Sequence, residues 1–263
     1  MDNVNMASSL FVLVTEHADS TSPLLRFVED KLQLIALAFM AVVYVVKVRW
    51  ILKFKAGRDF QAPTGNPSTT PQKGSAYSLV NIFMPWAMSS TRQHPLFYLQ
   101  FGTFHVAIGV NIAFSLTVPY IPWLYSPKLV ILALQVLFAI AFLIGLGRFI
   151  RRIVSPYLRA ISTPDDYFSL AFLVVWFAFA VMAAPNNRTE TEFWLLAYFL
   201  LTALLLFYVP FSKISHYIFY PFTRYYLGKT LGHRGVYPMR FDLGEIKREF
   251  FRPNQFNPGK EKK

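Results

Sequence analysis

The chain has five histidines and no cysteine in 263 residues, which directs any metal chemistry toward imidazole. Without thiols there is no disulfide, no thiolate metal site and no self-held iron–sulfur cluster. His17 and His233 lie outside the long apolar runs, where a solvated ring is the ordinary state. His105 and His216 stand inside them, and an ionisable group within an apolar span is costly enough to mark function. Gly102, His105 and Gly109 recur at spacings of three and four residues, so on a helix they share one face. The imidazole then projects between two positions that lack side chains. A flat macrocycle could approach there; equally, the glycines could let two helices pack closely with His105 hydrogen-bonded across the contact.

His216, in YVPFSKISHYIFYPF, lies near one end of the last apolar run. His105 lies near the corresponding end of an oppositely directed run. Two neutral imidazoles from facing antiparallel helices can supply both axial ligands of a haem iron. Zinc is disfavoured, since no further His, Cys or buried carboxylate accompanies the pair. His94 precedes His105 by eleven residues, close to the same face, and could in principle ligate a second haem, but it adjoins Pro95 at the edge of the run with no matching His on another span, which suits an interfacial or propionate-contacting role. Arg92, Ser212, Lys213 and Arg224 are placed where they could neutralise a haem propionate, or equally contact lipid headgroups. Lys128 could hydrogen-bond a quinone oxygen, or act as a snorkelling anchor.

The elements that must position these residues are membrane helices. The chain is 54% hydrophobic and 15% charged, with 27 Phe and 14 Tyr, more apolar than a soluble core of this size requires. A bilayer core needs about 20 helical residues, because lipid offers no partner to a backbone polar group. Five runs qualify: 32–54, 96–118, 128–150, 167–184 and 193–220. The last passes through Pro210, where a kink is expected.

The net charge of +12 would suggest nucleic acid in a soluble protein. Here the cations gather at the ends of the apolar runs, so no nucleic-acid partner is expected. Sorted by side, Lys and Arg divide 22 against 4, which places the N-terminus outside and the C-terminus in the cytoplasm of a multi-pass protein of the cell's inner membrane. The organisation expected is an external segment 1–31, a helical membrane domain 32–220 with an inner loop 55–95, and a basic cytoplasmic tail 221–263. The first 30 residues lack the basic start and cleavage site of a signal peptide, so no processing is expected. The outer turn VPYIPWLYSP (118–127) has the Pro, Trp and Tyr of an interfacial belt. At STPDDYFSL, Thr163 can cap the fourth helix, Pro164 take its first position, and Asp165 and Asp166 face its positive end. The inner segment GRDFQAPTGNPSTTPQKGSA is expected to be irregular, and 77–88 to lie along the surface. Beyond 228 the tail reads as basic and broken by Gly and Pro, with a short helix possible at 243–251.

Three segments, FHVAIGVNIAF (104–114), RRIVSPYLRAISTPDDYFSLAFLVVW (151–176) and VPFSKISHYIF (209–219), resemble the gamma subunit of respiratory nitrate reductase and its relatives in heterodisulfide reductase and sulfite-reducing complexes. The resemblance covers about 96–221, and the first helix matches by position alone. It implies a five-helix cytochrome b with an inner haem, at the positions of His105 and His216, and an outer haem near the site of quinol oxidation. The outer ligand positions fall on Ser115 and Tyr198, which would not make a stable low-spin centre. One haem b is therefore expected, with the outer space left to aromatic side chains, lipid or quinone.

The functional expectation is an electron-transfer subunit rather than a complete enzyme, exchanging electrons between quinone or menaquinone and a cytoplasmic iron–sulfur partner through one bis-histidine haem. The rival is a haem-free membrane anchor for a cytoplasmic enzyme. A transporter has little support, since the spans contain almost no carboxylate.

Overall fold

The computed structural model describes residues 21–239 except 56, 58, 88 and 189–191. His17, the possible helix at 243–251 and most of the basic tail lie outside the described residues. Helix α1 is Pro23–Leu52, α2 Pro71–Val80, α3 Ser89–Gln93, α4 Pro95–Thr117, α5 Lys128–Val154, α6 Pro156–Ile161, α7 Pro164–Ala183, α8 Glu192–Tyr208 and α9 His216–His233. No strand occurs among the described residues. Among the described residues five helices are long and apolar enough to cross a bilayer: α1, α4, α5, α7, and α8 with its extension to Phe211. The fold is that of an all-helical, multi-pass membrane protein.

By contacts the chain divides into a unit of residues 1–51 and 103–215 and a second of 52–102 and 216–263. In the first unit α7 packs against α5 and α8. Its core is aromatic: Phe114, Phe138, Trp176, Phe177, Tyr198 and Phe199 are fully buried. Phe177 links Phe104 at 5.5 Å, Trp176 at 5.5 Å and Phe138 at 6.2 Å between ring centroids, within the range of favourable aromatic pairs. Gly145 on α5 makes room for this layer, since a Cβ there would stand 3.2 Å from the Phe104 ring and 3.0 Å from Val174. Helix α1 joins α8 through Ala36 and Ala203, with Leu206 beside them and Phe39 against Phe207 at 5.1 Å. Its other flanks leave Val42, Val45, Val46 and Trp50 exposed, as lipid-facing side chains would be.

Two span boundaries differ from the hydropathy reading. Helix α1 starts at Pro23 rather than near residue 32, because Ser22 caps it by accepting from the Leu25 amide at 3.1 Å and Pro23 supplies the first turn. Its polar turn Phe27–Leu32 is π-helical. Helix α8 does not run through Pro210 to residue 220: a 3₁₀ turn closes it at Phe211, Ser212 is extended, and α9 begins afresh at His216. Lys47 stabilises this break by donating to the Pro210 carbonyl. On the far side of the break, the Lys213 amide donates to Asp165 at 2.8 Å and the Lys213 ammonium to Asp166 at 2.6 Å. The Asp166 carboxylate also accepts from the amide and hydroxyl of Thr163, each at 2.8 Å, so the start of α7 is closed as its sequence suggests.

In the second unit, α2 lies against α9. A Cβ on Gly74 would collide with the backbone of Gly228 and Gly232, and one on Gly228 would stand 2.6 Å from the Ser78 Cβ. These glycines are therefore the contact surface, not helix breakers. The loop before α2 is pinned to the end of α9: the amides of Gly65 and Asn66 donate to Arg234 and Gly235 at 3.1 and 3.0 Å, and Thr69 donates to Gly232 at 2.9 Å. Arg234 donates to Asp59 at 2.7 and 3.3 Å, and this bond holds the Asp59 carboxyl below its ordinary range.

Candidate functional site

Helix α4 carries Gly102, His105, Gly109 and Ser115, and His94 immediately precedes it. His105 is exposed, while its neighbours Phe104 and Ala107 turn into the core. A Cβ added to Gly102 or Gly109 would meet no heavy atom within 4 Å. The two glycines thus leave the His105 face open, in contrast to Gly74, Gly145 and Gly228, where neighbouring atoms press against the missing side chain. His216 is the first residue of α9 and is likewise exposed. His105 belongs to the first unit and His216 to the second. Among the described residues, no group of three or more His, Asp or Glu converges as a metal cage would.

Arg148, one of the cations near the end of α5, is placed against this part of α4. Its guanidinium lies 5.6 Å from the centroid of the Phe104 ring, adjacent in the chain to His105. A cation over an aromatic face is favourable where water is scarce. The sequence signal was its place beside GLG near the end of an apolar helix, which also fits a topology determinant.

Ser115 and Tyr198 occupy the aromatic core of the first unit and are 1% and 0% exposed. Tyr198 donates to the Asn111 carbonyl and to its side-chain oxygen, at 2.9 and 2.7 Å. Its ring lies parallel to Trp176 at 6.5 Å and 5.8 Å from Phe114. Trp176 donates to Thr202 at 2.8 Å, and Thr202 in turn to the Tyr198 carbonyl at 2.8 Å. Side chains therefore surround both positions, and the phenol is committed to Asn111. Asn111 is a residue that the sequence reading missed, although a lone amide in an apolar helix is itself a signal of a buried partner.

The remaining polar candidates divide sharply. Lys213 is engaged by Asp165 and Asp166, Ser212 donates to the Val209 carbonyl at 3.1 Å, and Arg92 donates to the Trp86 carbonyl at 2.7 Å. Lys128 is exposed at the first turn of α5. His94 and Arg224 instead converge, with Thr91, on one cavity of the second unit.

The fold and this site define a multi-pass membrane protein with an imidazole on an open helical face. No family profile matches the chain, and no solved structure does. It is similar to a protein of Nitratidesulfovibrio vulgaris (Hildenborough), with 28% identity over 168 residues, covering 59% of this chain and 70% of that one.

Proposed function

We propose that the chain is the membrane cytochrome b subunit of a respiratory oxidoreductase complex in the cell's inner membrane. In this reading it holds one b-type haem between His105 and His216 and passes electrons between the quinone pool and a cytoplasmic iron–sulfur subunit. The observation that carries the reading is the open face of α4. Close packing against another helix of this chain would also explain Gly102 and Gly109 without a cofactor, but among the described residues a Cβ at either position meets nothing within 4 Å beyond its own helix. An imidazole between two unfilled glycines in an apolar helix fits a residue that would hold a haem.

Bound haem would supply a one-electron carrier; the chain's own residues orient it and set its surroundings. His105 and His216 would each offer a neutral ring nitrogen. Arg148 stands over Phe104, which neighbours His105 in the chain but turns into the core, so its charge belongs to the packing of α4 against α5. The packed cluster around Tyr198 supports one haem rather than two, because the outer ligand positions are filled by side chains.

The test is optical and quantitative. Purified protein should show a Soret band and reduced b-type bands, with roughly one haem per chain, and either His105→Ala or His216→Ala should abolish the low-spin spectrum. A wild-type protein that takes up no haem would leave a membrane anchor as the better description, and a retained spectrum in the His216 variant would move the ligand elsewhere.

A further inference from the structure

The second unit contains a cavity of about 380 Å³ whose polar lining is Thr91, His94 and Arg224 and whose apolar lining includes Ile82, Phe97 and Phe101. Tyr98 also lines it, but its hydroxyl donates to the Ile82 carbonyl at 2.6 Å. Among the described residues the lining contains no carboxylate. Arg224 lies 5.5 Å from the centroid of the Tyr220 ring, an arrangement that orients the guanidinium without neutralising it. His94 stands just before the membrane-crossing helix α4, and Phe97 and Phe101 are one and two turns into it. Donors thus gather at the mouth of an apolar wall, and among the described residues that line it the permanent charge faces no anion.

We infer that this cavity is an oxyanion site for a membrane amphiphile, whose apolar body lies along Phe97, Phe101 and Ile82 while Arg224, His94 and Thr91 donate to its oxygens. Two sources carry that chemistry: the phosphate of an anionic lipid and the carboxylate of a haem propionate. Only the second rests on the cytochrome reading. A neutral quinone carbonyl fits less well, since it would leave the Arg224 charge uncompensated as it leaves water. A cation serving topology alone needs only to lie in an aqueous loop and has no reason to converge with a histidine and a threonine on an aromatic wall.

The experiment places the full chain in nanodiscs of phosphatidylcholine with a graded fraction of phosphatidylglycerol and counts retained lipid by native mass spectrometry. Arg224→Gln should lower phosphatidylglycerol affinity by about tenfold or more, the scale of a lost charge-assisted hydrogen bond. Arg224→Lys should retain part of it, and Arg159→Gln, which removes the same charge from exposed helix α6, should retain all of it. His94→Gln gives a second route should Arg224→Gln fail to fold. The lipid arm stands whether or not the protein carries haem. Unchanged lipid retention with a lowered haem midpoint potential in Arg224→Gln would support the site and assign it to a propionate. Neither change, an equal loss in Arg159→Gln, or displacement of the lipid by a neutral quinone analogue would overturn the proposal.

Discussion

Arg188 donates to both oxygens of Glu29, at 2.8 and 2.9 Å, and to the Thr21 hydroxyl at 2.9 Å. The two side chains are 5% and 7% exposed, so the pair is buried in the first unit and ties α1 to the chain before α8. Planar, bidentate geometry is what makes such burial tolerable, because each charge replaces its lost water with a directed partner. Arg188→Met should strand the Glu29 carboxylate and destabilise the protein by about 3–5 kcal/mol, and adding Glu29→Leu should recover most of that loss. Thermal unfolding in detergent with a double-mutant cycle measures both; a loss in the double variant equal to the sum of the two single losses would show that the pair is not coupled. In the sequence Arg188 reads as one of four cations on the sparser side. That was legible, but its partner was not, since 159 residues separate them and no local pattern links a loop arginine to a glutamate in the polar π-helical turn of α1. His105 was legible for the opposite reason: an ionisable residue flanked by glycines in an apolar run needs no knowledge of its neighbours to stand out.

Among the elements, the five spanning helices were legible because hydropathy and length alone decide whether a helix suits a bilayer. The boundaries of α5 and α7 followed closely, the latter because Thr163, Pro164 and Asp166 are local signals. The end of α8 was not legible. Apolar residues continue past Pro210, and what stops the helix is the capture of the Lys213 amide by Asp165, from another helix. The glycines of α9 misled for a related reason: Gly228 and Gly232 suggest breakage when read alone, whereas α2 uses them for close approach. Gly228→Leu should therefore force α2 and α9 apart, since its side chain would meet Ser78 and the Gly74 backbone. Overpacking of this kind costs about 1–3 kcal/mol. Hydrogen exchange should rise in Pro71–Val80 and His216–His233 while α5 and α7 keep their protection. Unchanged exchange in Pro71–Val80 would mean that the two helices are not held by this contact.

At the scale of the whole molecule, the question left to experiment is which way the bundle faces. The division of Lys and Arg, 22 against 4, is large because the short segments between helices alternate strongly in basicity, and short basic segments resist translocation. The absence of cysteine makes a clean reporter possible, since one introduced thiol is the sole target for a maleimide. Ser126, exposed in the turn between α4 and α5, and Ser68, exposed in the loop before α2, sit on opposite sides if α4 crosses the bilayer. Ser126→Cys should react with a membrane-impermeant maleimide in intact cells, and Ser68→Cys only after permeabilisation. The reverse pattern would invert the orientation and count against the proposed electron exchange with a cytoplasmic partner. Labelling of both sites in intact cells would mean that α4 does not separate them by a membrane.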